Sequence, residues 1–326
     1  MQQLAKEVYQ AAGQAAKRIT PFAYPTRVIY SPYLSKLCKG RVYLKPECLQ
    51  TTGSFKLRGA LNKVLTLQAA GYRKPLITAS TGNHAAAVAF ASGQANLQTV
   101  IYMPETASQV KIKNLQLYPN VEIRLNGQDS LASEMAARQE AEHQELAYIS
   151  PYNDEAIIAG QATVGLEVLA EVDRPDAVLV PVGGGGLISG IGGVLKHTSP
   201  TTQVIGCQPE NSAVMYHSVV AGKILDMPSK PTLSDGTAGG LEKNSLTFTY
   251  ARAFVDDFVL LSETAIRQGI ATILQHHRLV IEGAAALSVA ALLANPGRYA
   301  GQTTVLVLSG NKLSWSLLQE ISGELA

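Results

Sequence analysis

The chain has 326 residues, of which 46% are hydrophobic and 16% charged, and its formal net charge is +2. This composition excludes a disordered chain, and without a dense Lys/Arg run it offers no footprint for nucleic acid or an acidic membrane surface. No apolar run reaches the roughly 18 residues of a membrane span, and Cys38, Cys48 and Cys207 are spaced for neither zinc nor disulfides, so a cytoplasmic protein with reduced thiols is expected.

The opening stretch MQQLAKEVYQAAGQAAKRI lacks the apolar run and cleavage site of a secretory signal and reads as an amphipathic helix. A β-branched run at 42–47 predicts the first strand, and residues 57–70 carry helical periodicity. Strands follow at 75–80, 99–104 and 121–126, with helices at 84–92 and 130–143. Beyond them come a helix at 154–171, strands at 177–182 and 203–208, a helix at 264–275 and a strand at 303–309. Strand–helix alternation of this kind predicts an α/β fold with parallel-rich twisted sheets flanked by helices. No internal repeat or low-complexity linker divides the chain. Turn chemistry places a small domain at 54–149 and a large one built from 1–53 plus 150–326.

Three strand ends stand out, because ligands of open parallel sheets bind outside the carboxyl ends of strands. The strand at 177–182 runs into Gly183-Gly184-Gly185-Gly186 and then a helix. Bare backbone N–H groups at a helix start make a phosphate cradle, and the competing reading is a close helix–strand crossing. No Gly-Lys-Ser/Thr follows, and the spacing does not match a dinucleotide fingerprint. The strand at 75–80 runs into Ser80-Thr81-Gly82-Asn83-His84, a turn with donors suited to a carboxylate or to simple helix capping. The strand at 303–309 ends in Ser309-Gly310-Asn311. Lys56, in Ser54-Phe55-Lys56-Leu57-Arg58-Gly59, opens a helix; taken alone it reads as a surface lysine, although burial would fit its amine for imine chemistry.

Taken in order, SFKLRGA, STGNHA, PVGGGGL and LSGN resemble the motifs of the threonine/serine dehydratase and serine racemase family, and the resemblance covers nearly the whole chain. It implies a two-domain, tryptophan synthase β-like, fold-type II enzyme dependent on pyridoxal 5′-phosphate. It implies that Lys56 joins the cofactor through an imine, that Phe55 packs near the ring and that Asn83 holds the ring hydroxyl. Gly183, Gly184, Gly185, Gly186 and the Leu187 amide would bind the phosphate, and Ser309 would face the ring nitrogen. Ser80, Thr81, Gly82, Asn83 and His84 would grip a small amino-acid substrate by its carboxylate. The implied reaction is β-elimination from serine or threonine to a 2-oxo acid and ammonia, in a homodimer. An amino-acid racemase and a hydroxyaspartate-type dehydratase are the alternatives; a β-replacement enzyme or a cofactor-sensing protein stand further off.

Three departures qualify the match. Racemases of the family carry Ser, and biosynthetic threonine dehydratases Ala, where Thr81 stands; its hydroxyl keeps chemistry on two faces open. The family's divalent-cation loop starts with Glu and ends, in cation-activated members, with Asp; Gln208 and Val214 stand there, so no metal is expected. The turn at Ser309 is one Gly shorter than the family's Ser-Gly-Gly-Asn.

Overall fold

Two open sheets carry the fold of the computed structural model, which describes residues 1–325. In chain order the strands are β1 (Ile29–Tyr30), β2 (Arg41–Lys45), β3 (Leu76–Ala79), β4 (Thr99–Met103), β5 (Val121–Leu125), β6 (Ala147–Tyr148), β7 (Ala177–Pro181), β8 (Gln203–Pro209), β9 (Asp257–Leu261) and β10 (Thr303–Val307). One sheet runs β1-β2-β10-β7-β8-β9 and the other β5-β4-β3-β6. Only β1 with β2 is antiparallel; the remaining pairings are parallel. A parallel sheet covered on both faces demands apolar residues on both faces. The strands AVLVP and TTVLV meet that demand, and all their residues are buried.

The helices are α1 (Gln2–Ile19), α2 (Pro32–Cys38), α3 (Lys56–Ala69), α4 (Asn83–Gln94), α5 (Gln109–Gln116), α6 (Ser130–His143), α7 (Glu155–Glu171), α8 (Gly186–Thr198), α9 (Val214–Ala221), α10 (Leu246–Phe254), α11 (Glu263–His277), α12 (Gly283–Ala294) and α13 (Trp315–Glu324). Helix α1 buries Ala5, Val8, Ala12, Ala15 and Ile19, the three-to-four spacing of a single face, and packs on α7 and α8. Helix α12, GAAALSVAALLA, is apolar all round and accordingly lies in the core of the larger sheet. Helix α3 packs on both α4 and α7 through a cluster that includes Leu57, Leu61, Val64, Ile149 and Ile157.

Two features fix the start of α3. The loop before it is joined to the end of β10: Ser54 bridges Gly310, Phe55 N–H donates to the Ser309 carbonyl at 3.1 Å, and Asn311 N–H donates to the Gly53 carbonyl at 3.0 Å. Two residues along, Arg58 is buried with every side of its guanidinium engaged. It donates to Glu47 at 2.7 and 2.8 Å, to Glu167 at 2.6 and 2.7 Å, and to Thr163 at 3.1 Å. Lys45, also buried, meets Glu167 at 2.5 Å. Burial opposes the Glu47 charge, but Arg58 and Lys45 hold its carboxyl below the usual range.

Candidate active site

Lys56 is the first residue of α3, and no side chain caps that helix start. Its Nζ donates to the Pro151 carbonyl at 2.7 Å and lies 5.2 Å from the centre of the Phe55 ring. Burial brings the amine from its ordinary 10.5 to about 8, with the Glu282 carboxylate pulling the other way. A substantial fraction is thus uncharged near neutrality, the form that reacts with aldehydes.

The four glycines form the turn from β7 into α8. Gly185 takes the left-handed conformation, at φ 86°. A Cβ on Gly183 would lie 2.9 Å from Thr237 Cα, one on Gly185 would lie 2.7 Å from Met215 Cε, and one on Gly184 would run into the Tyr152 ring. Close packing therefore accounts for part of the run. It does not account for the amides. Among the described residues, none of the N–H groups from Gly183 to Leu187 has a protein acceptor. Thr247 Oγ1 donates to the Gly184 carbonyl at 2.5 Å, which fixes the turn. A row of free donors at the start of a thirteen-residue helix is an anion cradle. Tyr152, which covers Gly184, directly follows Pro151, which holds Lys56. Lysine and glycine turn thus meet consecutive residues of one loop.

The turn after β3 supplies a second set of donors. Gly82 N–H is taken by Ser80 Oγ at 3.1 Å, whereas the N–H groups of Thr81, Asn83 and His84 have no protein acceptor among the described residues. The His84 ring is buried and its Nε2 meets the Ile149 carbonyl at 2.9 Å. Burial, then the charge of Lys56, pushes its pKa down to about 3, so the ring is neutral and packs as a core side chain. Thr81 is half-buried. Asn83 Nδ2 donates to both oxygens of Glu282 at 2.9 Å, and Asn83 Oδ1 is buried without a partner, as is Ser54 Oγ.

Ser309 is buried at the end of β10. A Cβ on Gly310 would lie 2.5 Å from Glu282 Oε1, so any larger residue there would displace that carboxylate. Glu282 N–H donates to the Gly310 carbonyl at 3.1 Å, and Lys312 N–H donates to Glu282 Oε2 at 3.1 Å. Burial raises the Glu282 pKa, with Asn83 and Lys312 opposing. Lys312 Nζ reaches the Gly82 carbonyl at 3.2 Å. Glu282 stands at the candidate site although sequence reasoning did not single it out, whereas the loop Ser150-Pro151-Tyr152 was expected near a side-chain pocket. The available signal for Glu282 was one acid inside the apolar run VIEGAAAL.

At the other end of the expected cation loop, Gln208 is fully buried and its Oε1 accepts the Tyr216 N–H at 2.8 Å. Val214 is buried at the start of α9. Among the described residues no three His, Cys, Asp or Glu side chains group as metal ligands.

Parallel sheets flanked by helices, with a lysine of lowered pKa and a glycine turn of amides without protein acceptors at the ends of their strands, are what the α/β fold brings together here. The chain belongs to the family of pyridoxal-phosphate-dependent enzymes, whose model matches residues 19–310. It is 37% identical to the catabolic L-threonine dehydratase TdcB of Escherichia coli K12 over 312 residues, 95% of this chain and 94% of that one. Its fold matches processed threonine deaminase isoform 2 of Solanum lycopersicum with a TM-score of 0.92 and 31% identity, over 98% of this chain and 88% of that one. It matches maize serine racemase with a TM-score of 0.89 and 29% identity, over 97% of each chain.

Proposed function

We infer that this enzyme dehydrates and deaminates a β-hydroxy amino acid, such as threonine or serine, to a 2-oxo acid and ammonia. One observation carries the reading: an amine with a lowered pKa is held by the carbonyl of Pro151, the chain neighbour of Tyr152, whose ring packs on Gly184 in a row of five amides without protein acceptors. Similarity to proteins named threonine dehydratase and threonine deaminase supports it.

The residues present fit pyridoxal phosphate. Lys56 would carry it and Phe55 would pack beside its ring. The amides of Gly183, Gly184, Gly185, Gly186 and Leu187 would hold its phosphate. Asn83, whose Oδ1 lacks a partner, would meet the ring hydroxyl, and Ser309 would face the ring nitrogen. When bound, the cofactor supplies an electron sink that acidifies the substrate Cα–H. A neutral hydroxyl at Ser309 leaves that sink modest, which favours prompt loss of a β-hydroxyl over other fates. The N–H groups of Thr81, Asn83 and His84 bind the substrate carboxylate and aim Cα–H at Lys56. Lys56, uncharged, accepts the α-proton. The hydroxyl leaves with a proton as water.

The Thr81 hydroxyl favours one second reading, an amino-acid racemase with a proton donor on the face opposite Lys56, and the likeness to maize serine racemase supports it. Assaying 2-oxo acid release and product chirality with L-Ser, L-Thr, D-Ser and the 3-hydroxyaspartates tests both. A cofactor-loaded protein that released no 2-oxo acid from any of them would sink the lyase reading; D-serine in place of pyruvate would establish the racemase.

The same proposal takes residues 54–149 as the small domain, which the confinement of the second sheet to Leu76–Tyr148 supports. It also includes a homodimer and a cytoplasmic location. Exposed Tyr30, Tyr33 and Leu37 are apolar surface that a dimer would cover, and sedimentation measures it. The three cysteines are free and buried, and no described helix is long and apolar enough to cross a membrane.

A further inference from the structure

Helix α9 has no cap of its own. Its N-cap is Ala213, which has no side-chain acceptor, so the first-turn N–H groups need one from elsewhere. Gln208 provides it from the end of β8: Oε1 accepts the N–H of Tyr216, the third residue of the helix. The neighbour of Tyr216, Met215, is fully buried and touches the space above Gly185, the left-handed residue of the glycine turn. A chain of contacts thus runs from Gln208 through α9 to the turn.

We propose that Gln208 is a positioning residue for the anion cradle: its amide oxygen holds the first turn of α9, and α9 holds Met215 against Gly185. This rests on reading the turn from Gly183 to Leu187 as the phosphate site. The same geometry leaves no site for a divalent cation at this loop. The Gln208 oxygen is committed to Tyr216, its Nε2 is a buried donor with no partner, and Val214 offers no oxygen. An N–H donor repels a cation, and hard cations require several oxygens. The side-chain amide does the tethering, and cofactor binding is independent of Mg²⁺ and Ca²⁺.

The test is a titration of the cofactor-free protein with pyridoxal phosphate, followed by absorbance, for wild type and three variants. Gln208→Met keeps the volume and removes the acceptor; its dissociation constant rises about tenfold, the effect of losing one buried hydrogen bond, while kcat at saturating cofactor stays within about twofold. Gln208→Glu keeps an acceptor and stays near wild type. Met215→Ala, which leaves Gln208 untouched, weakens binding in the same direction. Wild-type affinity is the same in EDTA, Mg²⁺ and Ca²⁺. Unchanged affinity in a natively folded Gln208→Met protein overturns the proposal. So does tighter wild-type binding with either cation. If wild type itself takes up no pyridoxal phosphate, the function proposed above fails, and this inference fails with it.

Discussion

Lys56 and Arg58 are two residues apart on the same turn of α3, both withdrawn from water, and their surroundings are opposite. Arg58 meets two carboxylates and a hydroxyl with all its donors, and burial is outweighed so that its charge is held firmly. Lys56 meets a single carbonyl, and burial prevails: its pKa falls to about 8. A buried cation with complete pairing behaves as structure, and one left short of partners is available for chemistry. The saturated site also holds the unsaturated one in place, since the Arg58 cluster ties the first turn of α3 to β2 and α7.

The widest separation between the two should come from Lys56→Ala. Turnover should fall by about a thousandfold or more. The cofactor-free variant should melt no lower than wild type. The folded amine titrates near 8 and the unfolded one near 10.5, so protonation favours the unfolded chain; that destabilisation is full below pH 8 and fades as pH rises to 10.5. Turnover surviving in this variant would assign the proton transfer elsewhere. Arg58→Met should do the reverse, leaving buried Glu47 and part-buried Glu167 with Lys45 as their one remaining cation and costing about 3 kcal/mol in denaturant unfolding. A loss below about 1 kcal/mol would make the cluster no stiffer than a surface pair and erase the contrast.

Glu282→Gln sharpens the comparison by removing the one acid that acts on Lys56. Glu282 raises the Lys56 pKa, so the variant should attach pyridoxal phosphate with a pH midpoint shifted downward. An unmoved midpoint would show that Glu282 is already uncharged in that range, as its own burial favours. The smallest change belongs to Thr81→Ala, which should keep elimination within a few-fold and suppress any racemisation. Equal loss of both activities would make Thr81 a substrate-binding residue only.

Much of this was legible in the chain. The seven strands read from apolar runs lie within two residues of β2, β3, β4, β5, β7, β8 and β10; the signal is cleanest for β4, β7 and β10, whose residues are all buried, and rests on β-branched residues in the partly exposed edge strand β5. The three strands not anticipated have physical reasons to be faint. Strands β1 and β6 are two residues long, and β9 opens on an aspartate. Helix α12 was hidden because its alanines carry no periodicity. Ser80 to His84 and Gly183 to Leu187 were visible because each interrupts a strand–helix junction with unusual chemistry, whereas Lys56, which alone reads as a surface lysine, came forward only through the family resemblance. Glu282 was not: its partner Asn83 is 199 positions away, and nothing local to either residue records the meeting.

The order of synthesis gives the position of β10 a consequence for the nascent chain. This strand is made after both β2 and β7, yet it inserts between them, and the turn at its end is what fastens the loop before Lys56. A ribosome-bound fragment that stops short of Thr303 has a gap in the middle of its larger sheet and no partner for Ser54 and Phe55. The surroundings of Lys56 are therefore completed only once β10 has been made.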